Sequence, residues 1–189
     1  KNTAMTAGGR YTLTTLTGTE EVSEDTSVVR WRVWEYTFTS TASYPDPFSD
    51  VDLDVVFTHE GDTSFTVPAF WNGGDQWMVR FAPVLTGEWA FQTLCSEVSD
   101  TGLHNQSGQL SCVEYQGELE LYRHGFVKTV PGKRYFTYSD DTPFFYLGDT
   151  HWNLPANSYE NFMTIINKRV EQGFTVIQSE PIGAGYNLS

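Results

Sequence analysis

Positive charge is scarce in this chain. Its 189 residues hold 11 Lys and Arg against 24 Asp and Glu, a formal charge of −13. So acidic a protein is a poor partner for a nucleic-acid backbone or an anionic membrane surface, whereas a neutral ligand such as a sugar is unaffected. Long apolar runs are also missing: none approaches the ~20 residues of a membrane span. No signal peptide is visible, so Lys1 is expected to be a mature or a cytoplasmic start. Cysteine is limited to Cys95 and Cys112, which flank a turn-rich segment. A disulfide and two free buried thiols both suit them. The compartment stays open, with a secreted or cell-surface setting favoured over the cytoplasm. The four histidines, His59, His104, His124 and His151, and the two cysteines show no metal-ligand spacing. There is no Gly-x-Ser-x-Gly elbow and no phosphate loop, and no cofactor is expected.

What is abundant is aromatic, at 15% of residues. Aromatic side chains supply core volume, and flat faces on which sugar rings can stack.

The organising stretch runs from Pro143 to Glu180. Phe144–Leu147 and Phe174–Ile177 are short continuous apolar runs, as in strands buried on both faces of a parallel sheet. Between them Tyr159, Phe162, Met163, Ile166 and Val170 recur at helical spacing. Asn157 with Glu160 makes a capping box, Pro155 stands just outside, and Gly173 suits the left-handed position after the last turn. Strand, helix, strand predicts a βαβ unit with a right-handed crossover. Such a unit cannot bury its own faces, so it reads as the front of a larger α/β protein.

Upstream, strand patterns recur at the spacing of an antiparallel β-sandwich, expected over residues 8–122. Tyr11–Thr17 alternates. Val28–Phe38 switches its apolar parity near Val33 and Trp34, which implies either a bulge or a strand shared between two sheets. Val51–Phe57, Ser64–Phe70, Gln76–Ala82, Glu88–Leu94, Gly108–Tyr115 and Gly117–Tyr122 complete the set, with a hairpin turn at Asn72–Asp75. Phe70, Trp71 and Trp77 around that turn suit a carbohydrate platform, or hairpin and interdomain packing. Gly125–Lys128 and Arg134–Tyr138 read as a small bridging hairpin.

Five stretches carry a family resemblance. Val33–Phe38 (VWEYTF), Pro45–Phe57 and Val67–Phe91 resemble the N-terminal sandwich domain that precedes certain glycoside hydrolase barrels. The run His124–Trp152, with its Gly148-Asp149-Thr150-x-Trp152 element, resembles the entry to the apiosidase-like family of glycoside hydrolases. Gly173–Gln178 resembles that family's second barrel strand. The resemblance implies an α+β chain: an immunoglobulin-like β-sandwich, then a linker hairpin and the truncated start of an (α/β)8 TIM barrel over 123–189. It also implies hydrolysis of O-glycosidic bonds in poly- or oligosaccharides. A complete barrel needs ~250 residues, so the remaining strands, and with them the acid/base and nucleophile, are expected outside this chain.

Barrel sites form at the carboxyl ends of the strands. Asp149, His151, Trp152, Gln178 and Glu180 are therefore the expected substrate-binding residues: Asp149 and Gln178 bonding hydroxyls, Trp152 stacking on a ring. The bland alternative is that Asp149 caps backbone amides and Trp152 plugs the barrel mouth. Asp149 with Glu180 as a catalytic carboxyl pair, and His151 as acid/base, are weaker readings. The expected partners are a carbohydrate substrate and the rest of the barrel. A second reading is a non-catalytic β-sandwich module for sugar binding or scaffolding, and a third an immunoglobulin-type adhesion domain.

Overall fold

The computed structural model describes residues 27–154 and 157–180. The alternating stretch Tyr11–Thr17 and Pro155 lie outside them. The chain divides between Phe126 and Val127 into two compact units. Its architecture is α+β, rich in strands and poor in helices.

The first unit contains strands β1 (Ser27–Val29), β2 (Trp34–Thr39), β3 (Leu53–His59), β4 (Ser64–Pro68), β5 (Phe70–Trp71), β6 (Gln76–Phe81), β7 (Gly87–Cys95) and β8 (Ser107–Val113). Two short helices, α1 (Pro47–Asp50) and α2 (Glu120–His124), accompany them. One sheet has the order β1-β8-β7-β3-β4, the other β2-β6-β5. All pairings are antiparallel except β1 with β8.

Alternation explains which side chains go inward. Leu53, Val55 and Phe57 on β3, Trp89 and Phe91 on β7, and Leu110 and Cys112 on β8 are buried from the larger sheet. Phe38 on β2 and Trp77, Val79 and Phe81 on β6 are buried from the smaller. Together they form one core, and Phe57 stacks on Phe81 with centroids 3.9 Å apart. Each such side chain contributes about 1.5–3 kcal/mol through burial. Cys95 and Cys112 are both free and buried.

The parity switch near Val33 marks a change of sheet. β1 pairs with β8, the chain turns through Arg30–Arg32, and β2 pairs with β6 in the other sheet. Trp31 makes the turn at φ +67°, its ring buried and edge-on to Phe126 at 5.2 Å. The expected strand Gly117–Tyr122 is absent. Leu119 O accepts from Tyr122 N at 2.9 Å and Arg123 N at 3.1 Å, which opens α2 instead. So brief an alternation does not separate strand from helical turn.

The second unit begins with β9 (Lys128–Thr129), β10 (Phe136–Thr137) and β11 (Pro143–Phe144), an antiparallel sheet of order β11-β10-β9. It contains the bridging hairpin and adds a third strand. β12 (Gly148–Thr150), α3 (Tyr159–Glu171) and β13 (Val176–Gln178) follow. β12 and β13 pair in parallel: Gly148 with Val176, Asp149 with Ile177, Thr150 with Gln178.

Both parallel strands sit further along than the apolar runs predict. Phe144 pairs with Phe136 in the antiparallel sheet, and its ring meets Tyr138 edge-on at 5.2 Å. Backbone bonds to the second strand start at Leu147, whose carbonyl accepts from Thr175 N and Val176 N, while the Thr175 hydroxyl donates to Phe145 O at 2.7 Å. Nor are the strands buried on both faces: Phe145 is 74% exposed, and Val176 and Ile177 are half-buried.

Helix α3 carries Phe162, Met163, Ile166 and Val170 on its half-buried side, while Tyr159 is exposed. Its cap is Ser158, whose hydroxyl accepts from Asn161 N, and not Asn157. The Asn157 amide instead donates to the carbonyls of Asn153 and Leu154, closing the turn before the helix. The end is as expected. Gly173 sits at φ +81°, Gly173 N donates to Val170 O and Phe174 N to Arg169 O, a Schellman closure.

Candidate functional site

Parallel pairing puts the carboxyl ends of β12 and β13 side by side. The segments beyond them stay together. His151 N donates to Gln178 O at 2.9 Å, and Glu180 N donates to Trp152 O at 3.2 Å. Four of the five expected residues, His151, Trp152, Gln178 and Glu180, are thus tied to one another through backbone bonds. The fifth, Asp149, lies one register step earlier, opposite Ile177.

Strand alternation separates their side chains. Arg169 Nε, on the last turn of α3, donates to Asp149 Oδ2 at 2.5 Å. This bond holds the Asp149 carboxyl below the usual carboxylate range. Arg169 is fixed in turn: its Nη1 donates to Gln172 Oε1 at 2.8 Å, and its guanidinium lies 5.2 Å from the Phe174 ring centroid. Asp149 therefore faces the helix. Thr150 and Gln178, a paired step later, occupy the opposite face, and both are exposed.

Past the strand ends, Trp152 is 59% exposed. His151 Nε2 and Ser179 Oγ are buried with no hydrogen-bond partner among the described residues. A buried donor or acceptor left in that state costs about 1–3 kcal/mol. Chemically, the cluster offers an exposed indole face, the Gln178 amide and the Glu180 carboxylate.

Sequence reasoning missed Arg169. Arg169 lies beside the apolar stripe at the helix C-terminus, and only the Cβ directions of strand and helix bring it to Asp149.

In the first unit, Trp77 belongs to the core, whereas Phe70 and Trp71 remain partly exposed. They line a groove of about 340 Å³ with Phe48 of α1.

Two family models match the chain. Residues 27–96 match a domain of unknown function (DUF5060), and residues 130–184 match the apiosidase-like catalytic domain. No curated protein matches. Among solved structures, a "putative glycoside hydrolase" from Bacteroides vulgatus is similar at 25% identity and a TM-score of 0.68, over 81% of this chain. The chain spans 28% of that protein's length. The Lin-41 filamin domain aligns at 11% identity and a TM-score of 0.37, over 48% of this chain and 86% of its own, too weakly to carry an argument. In sequence over its last third, and in fold over most of its length, the chain resembles an apiosidase-like glycoside hydrolase.

Proposed function

We propose that this chain is the N-terminal portion of a glycoside hydrolase acting on O-glycosidic bonds of poly- or oligosaccharides. An immunoglobulin-like β-sandwich over residues 8–122 precedes a linker hairpin and the first βαβ unit of an (α/β)8 barrel. The observation that carries this reading is the parallel register of β12 and β13 across α3. Parallel strands joined by a helix are the repeating unit of such a barrel, whose sites form where the strands end.

The strand ends form one wall of a sugar subsite. Trp152 stacks on a ring face and Gln178 and Glu180 bond hydroxyls, with His151, whose Nε2 is buried, backing the wall. Asp149 contributes by locking β12 to α3 through Arg169, which keeps the wall in place. Hydrolysis needs two carboxyls about 5 Å apart for retention and further apart for inversion. The acid of such a pair works with a raised pKa. Asp149 is held in the opposite sense by Arg169, which disfavours it as the proton donor. The reading assigns both catalytic carboxyls to later barrel strands.

A panel of aryl glycosides tests this. Turnover is expected from a longer protein that continues past Ser189 through a full barrel, and none from the 189-residue chain. Turnover by the short chain would refute the assignment of the carboxyls. Inactivity of the longer protein on every glycoside would refute the hydrolase.

A further inference from the structure

We propose that the groove between α1 and β5 is a carbohydrate-binding site in its own right, taking one or two rings of a neutral saccharide. Aromatic side chains of this unit mostly enter its core, yet three line this groove and stay accessible: Phe48 at 80%, Trp71 at 38% and Phe70 at 37% exposure. Two of them are held in place. Trp71 Nε1 donates to Gly74 O at 3.0 Å, which fixes the indole against its own hairpin turn. Phe70 lies 4.9 Å beneath the Arg80 guanidinium, and Arg80 Nε is anchored on Glu35 Oε1 at 2.5 Å. Aromatic faces already immobilised lose little entropy when a ligand settles on them.

The polar lining fits the same ligand. Asp52 and Asp54 line the groove, and among the described residues no Lys, Arg or His does. Neither carboxylate has a side-chain hydrogen bond among the described residues, so both are free to accept from hydroxyls. An anionic ligand would be repelled by both carboxylates, and the nearby Arg80 is already paired with Glu35. A hydroxylated ring offers what the groove can take: a C–H face for the aromatics and O–H donors for the carboxylates. The volume, about 340 Å³, lies at the small end of ligand sites, which run from roughly 300 to 1,000 Å³. The choice of a sugar over a basic peptide rests on the reading of the whole protein as carbohydrate-active.

Affinity electrophoresis of the 189-residue chain tests the proposal without requiring turnover. Gels are cast with xylan, galactomannan or hydroxyethyl cellulose, with polygalacturonate as the anionic control. Retardation is expected in at least one neutral gel and not in the control. Trp71→Ala and Phe48→Ala should each weaken it by roughly tenfold. Phe48 is so exposed that its replacement leaves the fold intact, which keeps the test valid if the Trp71 variant is unstable. Val98→Ala, at an exposed position outside the groove, should change nothing. No retardation in any neutral gel, or equal retardation of the Phe48 and Trp71 variants, would overturn the proposal. So would a concentration-dependent dimer that Phe48→Ala dissolves, or binding of tetralysine in place of the saccharides. Retardation by a protein whose longer form hydrolyses no glycoside would leave this site standing and remove only the hydrolase reading.

Discussion

Asp149 and Arg169 join the first parallel strand to the helix that follows it, with Arg169 Nε donating to Asp149 Oδ2 at 2.5 Å. The bond lowers the Asp149 pKa in the folded state. A lowered carboxyl pKa stabilises the fold fully above the unfolded value, about 3.9 for Asp. That contribution fades as pH falls through the lower folded value. Asp149→Asn and Arg169→Gln should each lower the unfolding midpoint at pH 7 and flatten its decline towards acid. Circular dichroism melts from pH 7 to pH 2 check this, and variants that lose stability with acid as steeply as the parent would contradict it.

A second carboxylate does similar work in the first unit. Asp100, 1% exposed, accepts five hydrogen bonds: from Ser40 Oγ, Thr41 N, Thr41 Oγ1, Tyr44 OH and Gly102 N. Burial pushes its pKa up, but these donors outweigh burial and hold it well below the usual range. Asp100→Ala leaves several donors unpaired and should cost at least about 3 kcal/mol in chemical denaturation.

Tyr44 reports on the same cluster from the alkaline side. Burial, and then its bond to Asp100, push the phenol up to about 12. A raised tyrosine pKa stabilises the fold fully below the unfolded value near 10, and the effect is lost as pH rises through the folded value. Phenolate absorbance should show one tyrosine ionising near pH 12, and Tyr44→Phe should remove that step.

Gly102 lies where the Asp100 loop crosses the end of β2. A Cβ there would stand 2.0 Å from Thr39 O, a backbone atom that cannot swing aside. Gly102→Ala should therefore destabilise the first unit by about 1–3 kcal/mol or more, read as a lower denaturation midpoint.

The fold was legible in the sequence wherever alternation or helical spacing ran long. Leu53, Val55 and Phe57 are buried in the expected phase, as are Trp77, Val79, Phe81, Trp89 and Phe91. Of the two readings of the parity switch at Val33, a bulge or a strand shared between sheets, the change of sheet holds, with two strands in place of one. What failed was placement within short runs. Phe144 reads equally well as a parallel or an antiparallel strand, and its partner Phe136 decides the matter through tertiary pairing. Asn157 and Ser158 are both good caps, and the turn at Asn153–Leu154 takes Asn157 first. At the candidate site, the residues after each strand could be named because strand ends lie together once pairing is parallel. The Arg169 partner could not be, because it depends on how a helix is rotated over its sheet.

The placing of Glu180 in a sugar subsite, with the reacting carboxyls elsewhere, is decided by kcat for Glu180→Gln in a longer protein carrying the full barrel. As a subsite residue, Glu180 should affect KM chiefly, with kcat falling less than about tenfold, as Trp152→Ala and Gln178→Ala should also do. Loss of kcat by about a thousandfold or more, with KM unchanged, would make Glu180 one of the reacting carboxyls and contradict the division of labour argued above.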